Sequence, residues 1–141
     1  MNSNLYIIKK LPVYTNEDNA DREFISVNKN EKGELAKISV NSQINYIAYL
    51  DYKTGNCIRG NHYHLIKNES LYLCKGKIKG FFKSINDDII SEELIEEGTL
   101  IQISPGCIHA FEPVEDGYAI EFSPDPFDEE CNDIYFFSIK Q

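Results

Sequence analysis

The stretch Arg59-Gly60-Asn61-His62-Tyr63-His64-Leu65-Ile66-Lys67-Asn68-Glu69-Ser70-Leu71-Tyr72-Leu73-Cys74-Lys75-Gly76 decides the fold. Side chains alternate between the two faces of an extended strand, so His62 and His64 share a face and both imidazoles can reach one ion. Glu69 stands out of register with that face, but Ile66-Lys67-Asn68 reads as a turn that resets the register and returns the carboxylate on a second strand. The chain has 3 histidines, and the last, His109, follows Ser104-Pro105-Gly106-Cys107-Ile108, a tight turn that opens an apolar strand. Three imidazoles and a carboxylate suit Zn, Mn, Fe or Ni and leave coordination positions free for water or substrate. An open site of that kind points to catalysis more than to a structural ion.

Working outward, a chain of 141 residues is expected to form a single domain, 1–141, with its own core. The formal charge of -9 and pI near 4.8 argue against nucleic acid and anionic membrane as partners, since both need a clustered basic surface. A small anionic substrate remains compatible, because one or two cations inside a pocket suffice; Arg59, beside the first histidine, is placed for this. Cys57, Cys74, Cys107 and Cys131 show no C-x-x-C spacing, and the N-terminus lacks a basic region with a long apolar run. These features predict a cytoplasmic protein with reduced thiols and no membrane span. Cys107 reads as a small buried hydrophobe despite its closeness to His109.

Leu5 to Ile8 suits an edge strand, and Thr15 to Glu23 a loop. Phe24 to Val27 and Glu34 to Val40 flank the turn Asn28-Lys29-Asn30-Glu31-Lys32-Gly33, which predicts a hairpin. Ile44 to Leu50 precedes the motif strand. After it, Leu71 to Cys74 and Ile78 to Ile85 are read as strands separated by a tight turn at Lys75-Gly76-Lys77. Ile89 to Ile95, Thr99 to Ser104, Cys107 to Phe111, Gly117 to Ser123 and Ile134 to Ile139 follow, with one helical turn at Phe127 to Cys131. About ten to twelve short strands with turn residues between them predict an all-β sandwich or barrel-like jelly roll of short antiparallel strands.

Written as spacings, the two motifs are H-x-H-x4-E-x6-G and, from Gly98 to His109, G-x6-P-G-x-x-H. They resemble the paired motifs of the cupin superfamily, single jelly-roll barrels that carry a metal on His, His, Glu and His. The proline of the second motif stands one place later than the common pattern, with Ser104 in its slot, and Glu112-Pro113 replace a frequent asparagine. From about Ile44 to Phe136 the chain is also similar to the C-terminal cupin of bifunctional capsular polysaccharide enzymes that modify UDP-linked deoxysugars. Ile58 to His64, Lys67-x-Glu69, Lys75-Gly76-Lys77 and Phe127 to Tyr135 carry that resemblance. In those enzymes the cupin is a zinc-binding epimerase behind a nucleotide-binding reductase. The glycine fingerprint of such a reductase is absent here, so any reductase partner is expected to be a separate chain. Arg59-Gly60-x-His62-x-His64 is similar as well to sugar-nucleotide 3,4-ketoisomerases, which resemble this chain but use glutamine in place of Glu69 and work without a metal. Rhamnose-pathway 3,5-epimerases are a weaker match.

The resemblance implies an epimerase or isomerase acting on a keto-deoxy sugar nucleotide in surface polysaccharide biosynthesis, with zinc foremost among the metals. His62, His64, Glu69 and His109 would be its ligands, and ligands cannot also serve as the base. Tyr63, Tyr72, Glu112 and Glu121 are then the candidates for proton transfer, with Tyr72 ahead of Tyr63 because Tyr63 alternates out of the histidine face. Arg59 and Lys67 are the candidates to meet phosphate or uronate oxygens. An iron oxygenase and a non-catalytic cupin that binds a small molecule are the competing readings. A homodimer is expected, with Leu5 to Ile8 and Ile134 to Ile139 as the edge strands to be covered.

Overall fold

The computed structural model describes residues 5–15, 22–55, 58–130 and 132–141. These form 11 strands and no helix: β1 (Tyr6–Lys10), β2 (Val13–Tyr14), β3 (Ser26–Asn30), β4 (Gly33–Lys37), β5 (Tyr46–Tyr52), β6 (Arg59–Tyr63), β7 (Glu69–Ser84), β8 (Ile90–Glu96), β9 (Thr99–Ile103), β10 (Cys107–Ser123) and β11 (Tyr135–Phe136). The all-β expectation holds, and no described helix is long and apolar enough to cross a membrane.

Two strands of 16 and 17 residues, β7 and β10, pair antiparallel along most of their length and bend together. On one side of the bend, residues 69–73 of β7 pair with β9, β9 pairs with β1, and residues 117–123 of β10 pair with β5. On the other side, residues 77–83 of β7 pair with β8, while 109–111 of β10 pair with β6, which in turn carries β11. One hydrogen-bonded sheet thereby becomes two facing layers, a jelly roll. Tyr52, Leu71, Leu73, Ile78, Phe82, Ile95, Ile101 and Phe111 fill the space between them. Each such fully buried aliphatic contributes about 1.5–3 kcal/mol relative to exposure. A separate small sheet, β2-β3-β4, covers the outer face of the first layer through Leu11, Val27, Tyr72, Leu100 and Phe122.

The expected turn at Lys75-Gly76-Lys77 is instead an irregularity inside β7. Gly76 has φ of 99°, and β10 slips register between Glu115, Tyr118 and Ala119 opposite it. The slip changes the face parity: Leu71 and Leu73 point inward before it, Ile78 and Phe82 after it. Gly117 lets the two strands close here, because a Cβ at that position would run into the carbonyl oxygen of Lys75. For the same reason Cys107 to Phe111 and Gly117 to Ser123 are parts of one strand rather than two.

Three further differences are local. The hairpin is present, but its strands run through Asn30 and from Gly33, leaving only Glu31-Lys32 as the turn. Residues 127–130 are not helical, and Cys131 lies outside the described residues, as does Cys57. Of Ile134 to Ile139, only Tyr135–Phe136 joins the sheet, because the following backbone is drawn to Asn61. The Asn61 carbonyl accepts from Phe137 N–H (2.9 Å), and its side-chain oxygen accepts from Ile139 and Lys140 N–H at 2.9 and 3.1 Å. Cys107 is buried in the core as expected, and burial pushes its thiol up to about 12.

Candidate metal centre and active site

Four side chains from three strand regions converge between the layers: His62 on β6, His64 just beyond its end, Glu69 at the start of β7 and His109 near the start of β10. Their ligand atoms all lie within 4.8 Å of one another. The sequence Gly60-Asn61 makes this approach possible. A Cβ at Gly60, whose φ is 94°, would lie 2.7 Å from the carbonyl oxygen of His109, so only glycine lets β6 lie this close to β10. Asn61 also takes a left-handed φ of 56°, and the register between His109 and Ala110 shifts opposite them. His62 is then directly across from His109, with ring centroids 4.7 Å apart, and the His62 and His64 rings are 5.0 Å apart.

Hydrogen bonding sets which nitrogen faces the site. His64 Nδ1 is 2.6 Å from the Asp133 carbonyl oxygen, and His109 Nδ1 is 3.0 Å from that of Cys107. A carbonyl only accepts, so each Nδ1 carries a proton and each neutral ring turns the lone pair of Nε2 inward. Glu69 Oε2 lies 3.1 Å from His109 Nε2 and 3.6 Å from His64 Nε2. Both Glu69 Oε2 and His64 Nε2 are buried with no hydrogen-bond partner. Lone pairs facing each other in a buried site are resolved only by a cation among them, either protons or a metal ion. The donor set, its orientation and these orphaned atoms fit a divalent cation.

The electrostatics agree. Burial, together with the neighbouring His109, pushes the pKa of His62 down to about 4, so it is a neutral donor at physiological pH. Burial also works against charge on His64, but the Glu69 carboxylate and the Asp133 carbonyl outweigh it and raise its pKa. Burial would raise the carboxyl of Glu69; the adjoining His109 and His64 rings and the Lys67 ammonium outweigh it and hold the group well below the usual carboxylate range. A fixed negative charge buried among imidazoles is what a divalent ion needs.

His62, Glu69 and His109 open onto a cavity of about 140 Å³, of which Arg59, Tyr52 and Glu121 also form part of the wall, while His64 faces the neighbouring pocket. Arg59 donates through Nε to the Asp51 carbonyl (2.9 Å), and its guanidinium lies over the Tyr52 ring. Glu121 is reached by the Tyr46 hydroxyl at 3.5 Å. Lys67 sits just outside, 4.0 Å from Glu69 Oε1 and 4.1 Å over the Tyr46 ring, in a neighbouring pocket of about 200 Å³.

The other candidates for proton transfer lie elsewhere. Tyr72 points to the opposite face of its strand, 3% exposed beneath the small sheet, where burial and Glu34 push its phenol up to about 12. That strand face follows from parity, since Glu69, Leu71 and Leu73 occupy the inner one. Glu112 alternates outward from Phe111 and pairs across to Lys79. Tyr63 stacks on Tyr135 with centroids 5.3 Å apart, away from the cavity. Only Glu121 of the four lines the cavity with candidate metal ligands. Two contributors were not among the residues singled out from sequence: Tyr52, buried behind Arg59, and Asp133, which lies in the Phe127 to Tyr135 stretch, remote in sequence from the motif.

A bent two-layer jelly roll that gathers three histidines and a glutamate between its layers is a cupin fold. Solved structures agree. The capsular polysaccharide assembling protein CapF from Staphylococcus aureus matches with a TM-score of 0.63 at 26% identity, over 80% of this chain and 34% of that one. The chain therefore spans about a third of that relative's length. A 3,4-ketoisomerase from Helicobacter canadensis matches with a TM-score of 0.70 at 12% identity, over 92% of this chain and 89% of that one. A variant of the 3,4-ketoisomerase QdtA from Thermoanaerobacterium thermosaccharolyticum, in complex with TDP-4-keto-6-deoxyglucose, has a TM-score of 0.66 at 16% identity, over 93% and 86%. No protein-family model and no curated protein sequence matches the chain.

Proposed function

We propose that the protein is a zinc-dependent epimerase or isomerase of a keto-deoxy sugar nucleotide, serving surface polysaccharide biosynthesis. The observation that carries this reading is that His62, Glu69 and His109, grouped with His64 as one candidate ligand set, line a cavity together with Arg59 and Glu121. The likeness to CapF and to keto-sugar isomerases supports the substrate class. A bound divalent cation would be held by Nε2 of His64 and His109, by His62 and by Glu69, and would supply a Lewis acid that stabilises negative charge developing on a substrate carbonyl.

The chain's own residues do the rest. Glu121 takes the proton from the carbon beside the carbonyl and returns one, since the imidazoles are committed as ligands. Arg59 and Lys67 meet phosphate or uronate oxygens at the mouth. Whole small-ligand sites occupy about 300–1,000 Å³, whereas this cavity is about 140 Å³. It takes the reacting sugar alone, and the nucleotide extends past Tyr46 toward Lys67. A carboxylate base beside a phosphate anchor favours proton transfer over the iron oxygenase reading. We place the enzyme in the cytoplasm, with soluble nucleotide sugars, and as a homodimer built on the exposed strand edges; sedimentation velocity at micromolar concentration tests the dimer.

The direct test incubates zinc-loaded protein with UDP- and TDP-linked 4-keto-6-deoxy sugars in deuterated water. Proton NMR is expected to show solvent deuterium on the carbon next to the carbonyl. Loss of no carbon-bound proton from any of these sugars ends the reading.

A further inference from the structure

Within the C-terminal segment, Asp133 reaches the candidate metal centre twice. Its backbone carbonyl accepts from His64 Nδ1 at 2.6 Å. Its carboxylate accepts three backbone N–H groups from the turn that links the ligand strands: Leu65 to Oδ1 at 2.8 Å, and Ile66 and Lys67 to Oδ2 at 2.9 Å each. That turn separates His64 from Glu69, so the carboxylate fixes the spacing of two ligands while the carbonyl fixes the ring orientation of one. Without the carboxylate, three N–H groups of the turn lose their acceptor and the carbonyl loses its anchor above His64. Beyond Asp133 the segment is pinned by β11 pairing with Tyr63 and His62 and by the Asn61 bonds to residues 137–140.

We propose that Asp133 is a positioning residue that latches the C-terminal segment onto the metal centre, so that ion affinity depends on a side chain 69 positions along the chain from the histidine it orients. It does not touch the ion or the substrate; it acts through His64 and the 65–67 turn. The inference rests on the metal-centre reading above. Groups that orient metal-binding histidines are worth about ten- to a hundredfold in metal affinity, which sets the size of the effect.

The test is a zinc competition titration on the full chain for wild type, Asp133→Ala, His64→Ala and the double variant. Asp133→Ala is expected to weaken zinc about ten- to a hundredfold in the wild-type background and to have a smaller further effect once His64 is gone, because one of its two routes to the ion has been removed. Cobalt-substituted Asp133→Ala is expected to show a shifted visible absorption band, reporting a reoriented ligand. If Asp133→Ala does not fold, Asp133→Asn carries the same test: one acceptor oxygen for three N–H groups predicts an intermediate loss. Wild-type zinc affinity in the Asp133 variant, or an equal loss with and without His64, overturns the latch while leaving the metal centre standing. A wild-type protein that binds no zinc overturns both.

Discussion

His64 and His62 differ in what surrounds them, and the difference has a measurable consequence. In the metal-free protein His64 is raised above its ordinary pKa by Glu69 and the Asp133 carbonyl, despite burial. His62 is lowered to about 4 by burial and by His109. A raised pKa means that a proton competes with an incoming ion for the ring at higher pH than it would for an ordinary imidazole; a lowered one defers that competition to lower pH. Zinc affinity is therefore expected to fall as pH drops from 8 to 6, with proton release on binding visible as a buffer-dependent heat in calorimetry. Affinity that stays flat across that window contradicts the assignment to His64. Glu121 belongs to the same scale. Glu121→Gln keeps shape but removes the proposed base, so solvent exchange should slow by about 10²–10⁴-fold while zinc stoichiometry is unchanged. A parallel loss of zinc would make Glu121 a ligand-shell residue instead.

At the scale of elements, the bend shared by β7 and β10 governs the site, because it turns one sheet back on itself and so brings β6 opposite the start of β7. Gly117 is where the two strands come closest, with the Lys75 carbonyl in the place a Cβ would occupy. Gly98, in the turn from β8 to β9, has a left-handed φ of 85°, but a Cβ there would meet nothing within 4 Å. The two glycines separate conformational strain from steric conflict. Gly98→Ala should cost about 1–2 kcal/mol, and Gly117→Ala more than about 4 kcal/mol, both read from urea unfolding. Equal costs would mean that the bend tolerates separation of its strands. The elements also show why some expectations failed. Lys75-Gly76-Lys77 has the composition of a hairpin turn, and the same glycine serves a bulge inside a continuous strand; composition at that point does not distinguish them. Ile134 to Ile139 has the composition of a strand, yet the Asn61 side chain competes for its backbone and wins beyond Phe136.

At the scale of the whole molecule, an ion held by β6, β7 and β10 ties the two layers together, and binding only the folded state adds stability. Zinc at a hundred times its dissociation constant contributes about 2.7 kcal/mol, equivalent to roughly 5–10 °C in Tm for a domain of this size. Adding a chelator to zinc-loaded protein should lower Tm by that amount, and restoring zinc should recover it. A Tm indifferent to both would show that the four residues hold no ion in solution.

The sequence by itself determined the strand-rich class and the four candidate ligands. Both rest on local periodicity and residue chemistry: β-rich runs between turn residues, a His-x-His pair on one strand face, and a third histidine after a tight turn. It also supplied Arg59, Lys67 and Glu121 as candidates, but could not separate Glu121 from Glu112, Tyr63 and Tyr72. That separation depends on which face each strand turns inward, and along β7 and β10 the face changes at register shifts opposite Gly76 that are visible only when the two strands are paired. The tertiary structure alone brought Asp133 to His64 and Tyr52 beneath Arg59, because contacts between residues distant in the chain are made by the packing of the layers and leave no trace in local sequence.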